Sequence, residues 1–208
     1  MKAVMISIRP KWCEKIASGE KTIEVRKTRP KLETPFKCYI YCTKDRHLAF
    51  MQNASGTNLI ACMNAETAIP VGGFLGNGKV IGEFTCDKII DAWWDYVPDA
   101  ITREVTGGNL EALDGIGMTD EELFSYVGDG MRGHCYGWRI SNLKIYDTPK
   151  ELYEFWFPPE LYCEKERCGS CPCDQVADVN GEYSFDCEWK RPLTRPPQSW
   201  CYVEDKEA

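Results

Sequence analysis

The order of apolar and polar positions predicts a chain made mainly of short strands, with two or three helices between them. Residues 3–8 are β-rich and alternate weakly, as a first strand does. Pro10 stands before a helical run, Lys11–Ser18, in which Trp12, Lys15 and Ile16 recur at helical spacing and Gly19 follows the end. Lys21–Lys27 alternates as a second strand: Ile23 and Val25 face a core, and Thr22, Glu24 and Arg26 share the opposite face. Thr28-Arg29-Pro30 ends it, because proline cannot donate to a ladder. Phe36–Thr43, Lys79–Ile90 and Cys135–Tyr146 predict further strands, with Gly82 marking a bulge or a close approach.

Thr119-Asp120-Glu121-Glu122 has the spacing of a capping box and predicts a short helix ending near Gly128. Asp147-Thr148-Pro149 predicts another, carrying Leu152, Phe155 and Trp156 on one side, and Pro158-Pro159 stops it. Pro196–Glu204 reads as a closing strand. Between Lys44 and Gly78 the alternation is lost among turn-rich stretches, so this segment reads as an insertion. Its glycines lack the Gly-Lys-Ser/Thr ending of a phosphate loop and lead into a strand, which excludes that motif. Five or six strands with two or three helices fit an α+β chain or an all-β chain with helical decorations.

The 208 residues suffice for one sizeable core or a smaller domain with decorations, and 43% apolar with 27% charged residues suits a globular protein. No apolar run approaches the roughly 20 residues that cross a bilayer, and the stretch before Arg9 is too short for a signal peptide. A cytoplasmic protein without a membrane partner is therefore expected. Net charge is −7, which argues against a nonspecific polyanion binder. The charge is uneven, however. Residues 1–46 hold 12 basic and 5 acidic residues, and the remainder holds 13 and 27. That asymmetry can place a basic face on an acidic body, or can be only an uneven solvated surface.

Four blocks carry a family resemblance: Ile8-x-Pro10-Lys11-Trp12, Gly19-x-Lys21-x-x-Glu24-x-Arg26, Val80-Ile81-Gly82-Glu83-Phe84 and Tyr136-Gly137-Trp138-x-Ile140-Ser141. In this order they resemble the ASCH domain, over roughly residues 1–148 and the last strand. The resemblance implies a PUA-like small mixed β-barrel with flanking helices, associated with RNA. It also implies a cleft between the first helix and the barrel mouth, where Lys21, Glu24 and Arg26 match the charged motif.

Those side chains suit a nucleotide or nucleic acid. Arg26 offers a planar fork for phosphate or a base edge, Lys21 a point charge, and Glu24 an acceptor for a base amino group or an anchor for Arg26. Arg9, Lys11, Lys27 and Arg29 extend the positive surface, and Trp12 offers a stacking face. The alternatives are an ion-pair network of Glu24 with Arg26 and a core-packed Trp12. The expected nucleic-acid-binding set is Arg9, Lys11, Trp12, Lys21, Glu24 and Arg26, with RNA or another nucleic acid or nucleotide as partner.

One branch of the family resembles amidohydrolases that act on acetylated cytidine through a Lys, a Thr and a later Glu. Lys21 matches the Lys, but Glu24 occupies the position of the Thr nucleophile. Thr22 is displaced by two residues, and Glu111 and Asp114 are only loose matches for the later acid. The reading is thus a binder rather than an enzyme, with the amidohydrolase as one alternative. The other is a protein-interaction module of mobile-element origin.

Twelve cysteines are many for a reducing compartment. Cys13, Cys38, Cys42, Cys62, Cys86 and Cys135 lie in strand-like or helical stretches and are expected in the core. Cys163, Cys168, Cys171 and Cys187 are the expected ligands of a structural zinc, with Cys173 the substitute. An iron–sulfur cluster and unligated thiols are the alternatives. His47, His134 and Cys13 have no partners at catalytic spacing. The expected organisation is a barrel domain over 1–157 with an insertion at about 44–78, a Cys-rich extension over 158–195, and a closing strand with tail over 196–208.

Overall fold

A computed structural model describes residues 2–63, 68–96, 105–128, 132–158 and 192–204. Strand β1 (Lys2–Ile8) leads into helix α1 (Pro10–Ala17), followed by β2 (Ile23–Arg26) and β3 (Phe36–Cys42). Next come β4 (Leu48–Gln52), β5 (Asn58–Cys62), β6 (Phe74–Leu75), β7 (Val80–Tyr96) and β8 (Val105–Gly108). Helix α2 (Asp120–Val127), β9 (Arg132–Lys150) and β10 (Trp200–Glu204) complete the described elements.

The main sheet runs β10-β1-β3-β7-β9-β2, with β8 added to β7. β1 is parallel to β3 and antiparallel to β10. Its run of buried residues follows from covering on both faces. Val4, Ile6 and Ile8 join a core with Phe36, Phe84 and Trp138, while Ala3 and Met5 join a second with Tyr39, Phe155 and Leu193. A third cluster gathers Ile23 and Val25 of β2 with Trp94, Leu123 and Cys135.

The expected barrel does not close among the described residues, because its two end strands, β2 and β10, share no backbone ladder. β2 lasts only four residues, and Pro30 beyond it has no N–H to offer. Side chains span the seam instead. Trp200 Nε1 donates to Thr28 Oγ1 at 3.0 Å, and the Lys31 N–H donates to the Tyr202 hydroxyl at 2.8 Å. Arg26 reaches Ser199 Oγ at 3.3 Å from the same side. The described fold is a sheet-rich α+β arrangement with two α-helices and a side-chain-filled seam.

Local chemistry explains the elements that were anticipated. Gly19, at φ +82°, takes the left-handed position after α1, and its N–H bonds Ile16 O. Thr119 and Glu122 form the full capping box of α2. A Cβ at Gly82 would sit 2.5 Å from Lys144 O, so the β7–β9 ladder closes there only around glycine. Of the six cysteines expected in the core, Cys62 is exposed and the other five are buried.

Two further expectations fail. The insertion is not without pattern, because β4 pairs with β5 and β6 in a separate three-stranded sheet. Ala49, Phe50, Met51 and Gln52 are consecutively buried, so apolar residues fill both faces of β4 and period-two alternation never appears. The helix expected after Asp147 is also absent. β9 continues to Lys150, and only a 3-10 turn, Leu152–Glu154, follows. That geometry delivers Phe155 to Tyr39, with ring centroids 4.9 Å apart, which a continued helix from Pro149 would not require. Near the end of β7, Trp94 is buried and its neighbour Trp93 is half exposed. No described helix is long and apolar enough to cross a membrane.

Candidate functional site

A glycine-bounded loop prepares the site floor. Gly115 and Gly117 both have positive φ, and a Cβ at Gly115 would meet Thr22 Oγ1 at 2.3 Å. This close approach turns three successive carbonyls toward the start of β2. Gly115 O accepts from the Thr22 and Ile23 N–H groups, Ile116 O accepts from Lys21 Nζ at 2.6 Å, and Gly117 O accepts from Lys15 Nζ at 3.2 Å. The sequence showed only two glycines around one isoleucine here. The carbonyl cradle requires the fold.

Lys21, Glu24 and Arg26 meet on that floor and are all buried, at 2%, 6% and 6% exposure. Alternation assigned Glu24 and Arg26, with Thr22, to one charged face, and the family resemblance placed Lys21 with them in a cleft. In fact both faces of β2 are covered, because Ile23 and Val25 pack under α2 while the charged face lies beneath α1 and β1. One Glu24 oxygen lies 2.9 Å from an Arg26 terminal nitrogen and the other 3.4 Å from Lys21 Nζ. Arg26 also donates to Ser7 O at 2.6 Å. The ion-pair alternative is therefore realised, and it includes Lys21. Burial pushes the Lys21 ammonium below the ordinary lysine range, and the Glu24 charge partly offsets this.

Above the floor opens a cleft of about 810 Å³. All six expected binding residues line it: Arg9, Lys11, Trp12, Lys21, Glu24 and Arg26. Trp12 is half-buried, with one side on the main core and the Lys11 and Lys21 ammonium groups 4.5 and 5.5 Å from its ring. The core-packing and cleft-lining alternatives for Trp12 thus both hold in part. Arg9 is the uncapped residue before α1. Lys11 forms an ion pair with Glu122 of α2, so the two helices meet across the opening.

α2 is the contribution that motif reading missed. It brings Glu121, Glu122, Ser125 and Tyr126 to the lining, and burial pushes the Tyr126 hydroxyl above its ordinary pKa. The lining cations are Arg9, Lys11, Lys21, Arg26 and Lys27. Against them stand Glu24, Asp45, Glu121 and Glu122, so the cleft is nearly balanced rather than strongly basic. Acidic side chains from the remainder of the chain fold back onto the basic N-terminal part, which a count along the sequence cannot reveal.

Of the amidohydrolase set only Lys21 faces the cleft. Thr22 is exposed beside Gly115, and neither it, Glu111 nor Asp114 lines the cavity. Cys13 is buried, its thiol contacts Ile8 O at 3.5 Å, and burial pushes its pKa up, which suits a core residue. Neither histidine lines the cleft: His47 is exposed, and His134 pairs with Asp91 at 2.7 Å. The expected zinc ligands Cys163, Cys168, Cys171 and Cys187 lie outside the described residues, as does Cys173. Among the described residues no group of three or more His, Cys, Asp or Glu is placed to hold a metal.

No protein-family profile matches the chain, and no curated protein matches it. Among solved structures it is similar to the crystal structure of ASCH from Zymomonas mobilis, with 16% identity and a TM-score of 0.47, over 99% of this chain and 89% of that one. It is also similar to a point mutant of the Zymomonas mobilis protein, with 15% identity and a TM-score of 0.49, over 100% of this chain and 94% of that one. A second point mutant gives 14% identity and a TM-score of 0.48, over 99% and 90%. At this identity and TM-score the likeness carries no assignment of function.

Proposed function

We propose that the chain binds a nucleotide unit of nucleic acid, RNA foremost, in the cleft between α1, α2 and β2, and does not transform it. The observation that carries this reading is the convergence of six residues on one cavity: Arg9, Lys11, Trp12, Lys21, Glu24 and Arg26. At about 810 Å³ the cavity falls in the size range of small-ligand sites. Its near-balanced lining suits the uncharged, donor-and-acceptor edge of a base better than a run of phosphates. Trp12, half-exposed and held from below by the core, supplies a stacking face. The ASCH-like motifs support the same reading. The amidohydrolase alternative keeps only Lys21 in place, and Thr22 lies outside the cleft.

Titration calorimetry with the four nucleoside monophosphates and a single-stranded RNA tests the site. Trp12→Ala is expected to weaken binding by about 1–3 kcal/mol, roughly 5- to 150-fold. Unchanged affinity in that variant, or no binding by the wild type, rejects the cleft as the site.

The structural zinc rests on cysteine spacing alone. Native mass spectrometry is expected to find one zinc per chain, lost with a chelator and reduced in a Cys168→Ser, Cys171→Ser variant. A metal-free chain, or full retention in the variant, removes the assignment.

A further inference from the structure

Three cations that follow β2 differ from Lys11, Lys21 and Arg26 inside the cleft. Lys27, Arg29 and Lys31 occupy alternate positions just after β2, and all three are exposed. Inside the cleft Lys21 and Arg26 share Glu24, and Lys11 pairs with Glu122. Lys27, Arg29 and Lys31, by contrast, form no ion pair with a carboxylate among the described residues.

Each of the three positions contacts a tyrosine from a different element, Lys27 and Arg29 through the charged group and Lys31 through its backbone. The Lys27 ammonium lies 5.5 Å from the ring of Tyr126 on α2, and the Arg29 guanidinium 5.7 Å from Tyr136 on β9. The Lys31 N–H donates to the hydroxyl of Tyr202 on β10. Between them Pro30 is buried, and Thr28 is tied to Trp200. The segment is therefore anchored across the open seam, and its free charges face solvent. Lys27 also lines the cleft, so the row of cations starts at the cleft edge and leads away from it.

We infer that this row is a backbone track for single-stranded nucleic acid: the cleft holds a base or nucleoside, and Lys27, Arg29 and Lys31 take the phosphodiesters of the flanking nucleotides. The inference rests on the cleft reading above and adds the partner's form, a strand rather than a free mononucleotide. Charge separates the two tasks. Cations already neutralised by Glu24 and Glu122 release few counterions on binding, whereas unpaired exposed cations release them and give a salt-dependent affinity. The rings of Tyr126 and Tyr136 hold the Lys27 and Arg29 side chains in place, so less side-chain freedom is lost on contact there.

The test uses the full chain and labelled single-stranded RNA and DNA oligomers of about a dozen nucleotides. Affinity is measured by fluorescence anisotropy over a range of salt, alongside binding of nucleoside monophosphates. In Arg29→Gln, Lys31→Gln, which removes both charges and leaves the Lys31 backbone contact to Tyr202 in place, the slope of log affinity against log salt is expected to become shallower by about 1.4. Monophosphate binding is expected to stay at the wild-type level, and the charge-preserving Arg29→Lys, Lys31→Arg variant to restore the slope. An unchanged slope in the glutamine variant, with Trp12→Ala still weakening binding, overturns the track and leaves the cleft standing. Displacement of the oligomer by polyglutamate as readily as by unlabelled RNA also overturns the track, because the surface then recognises acidic protein. Failure of every nucleotide and oligomer to bind the wild type overturns cleft and track together. A difference between the RNA and DNA arms identifies which sugar the track accepts.

Discussion

Glu24→Gln is expected to destabilise the fold by about 3–5 kcal/mol, the cost of leaving buried charge without its counter-charge. The substitution keeps the side chain's size and one carbonyl acceptor, so packing changes little. What disappears is the single negative charge between two buried cations, Arg26 at 2.9 Å and Lys21 at 3.4 Å. For a domain of this size the loss corresponds to a melting temperature lower by about 6–20 °C. Thermal unfolding checks it, and a shift within a degree or two of wild type shows that water screens the triad.

The pH dependence of that variant has a definite sign. Burial already lowers the Lys21 pKa in the folded state, and Glu24 opposes the lowering. Without Glu24 the folded pKa drops further, while the unfolded chain keeps the ordinary lysine value of about 10.4. Between the folded and unfolded values the unfolded chain binds more protons, so stability rises with pH across that window. The deficit of Glu24→Gln is therefore expected to be largest at neutral pH and to shrink as pH climbs toward the lysine value. A deficit that grows instead shows that Lys21 is not the charge left stranded.

Arg26→Leu is expected to cost a similar amount, about 3–5 kcal/mol, for a different combination of reasons. The guanidinium pairs with Glu24, donates to Ser7 O at 2.6 Å and reaches Ser199 across the seam. Leucine leaves the Ser7 carbonyl without that donor, leaves Glu24 with Lys21 alone, and removes a tie between the β2 and β10 ends of the sheet. Urea unfolding is expected to show a lower midpoint with an unchanged m-value. The double variant Glu24→Gln, Arg26→Leu is expected to lose clearly less than the sum of the two singles, since each removes the partner the other needs. Strict additivity argues against a shared network and leaves the contacts to Ser7 and Ser199 as Arg26's contribution.

Several features were legible in the chain because they are local. Gly19 ends α1 and Thr119 with Glu122 begins α2, since these signals depend on residues only a few positions apart. The six cleft residues were legible as a set through the motifs around Trp12 and Lys21. β4 was not legible, because a strand buried on both faces carries no alternation. Nor was α2's share of the cleft, since nothing near Tyr126 in sequence marks it as a neighbour of Arg26 and Lys27.

The sequence by itself determined which side chains lie on the same side of β2, because alternation along a strand is a property of the backbone. Only the tertiary structure decided what lies opposite that side. It brought α1 and β1 down over Glu24 and Arg26, and turned the Ile116 carbonyl onto Lys21. It also carried Glu122 across to Lys11 from more than a hundred residues away. Whether a charged residue is solvated or buried, and whether a cation is paired or free, depends on contacts between distant segments. For that reason a stretch that reads as an open row of charge is the floor of a nearly neutral cleft, and a row of cations without carboxylate partners leads away from its edge.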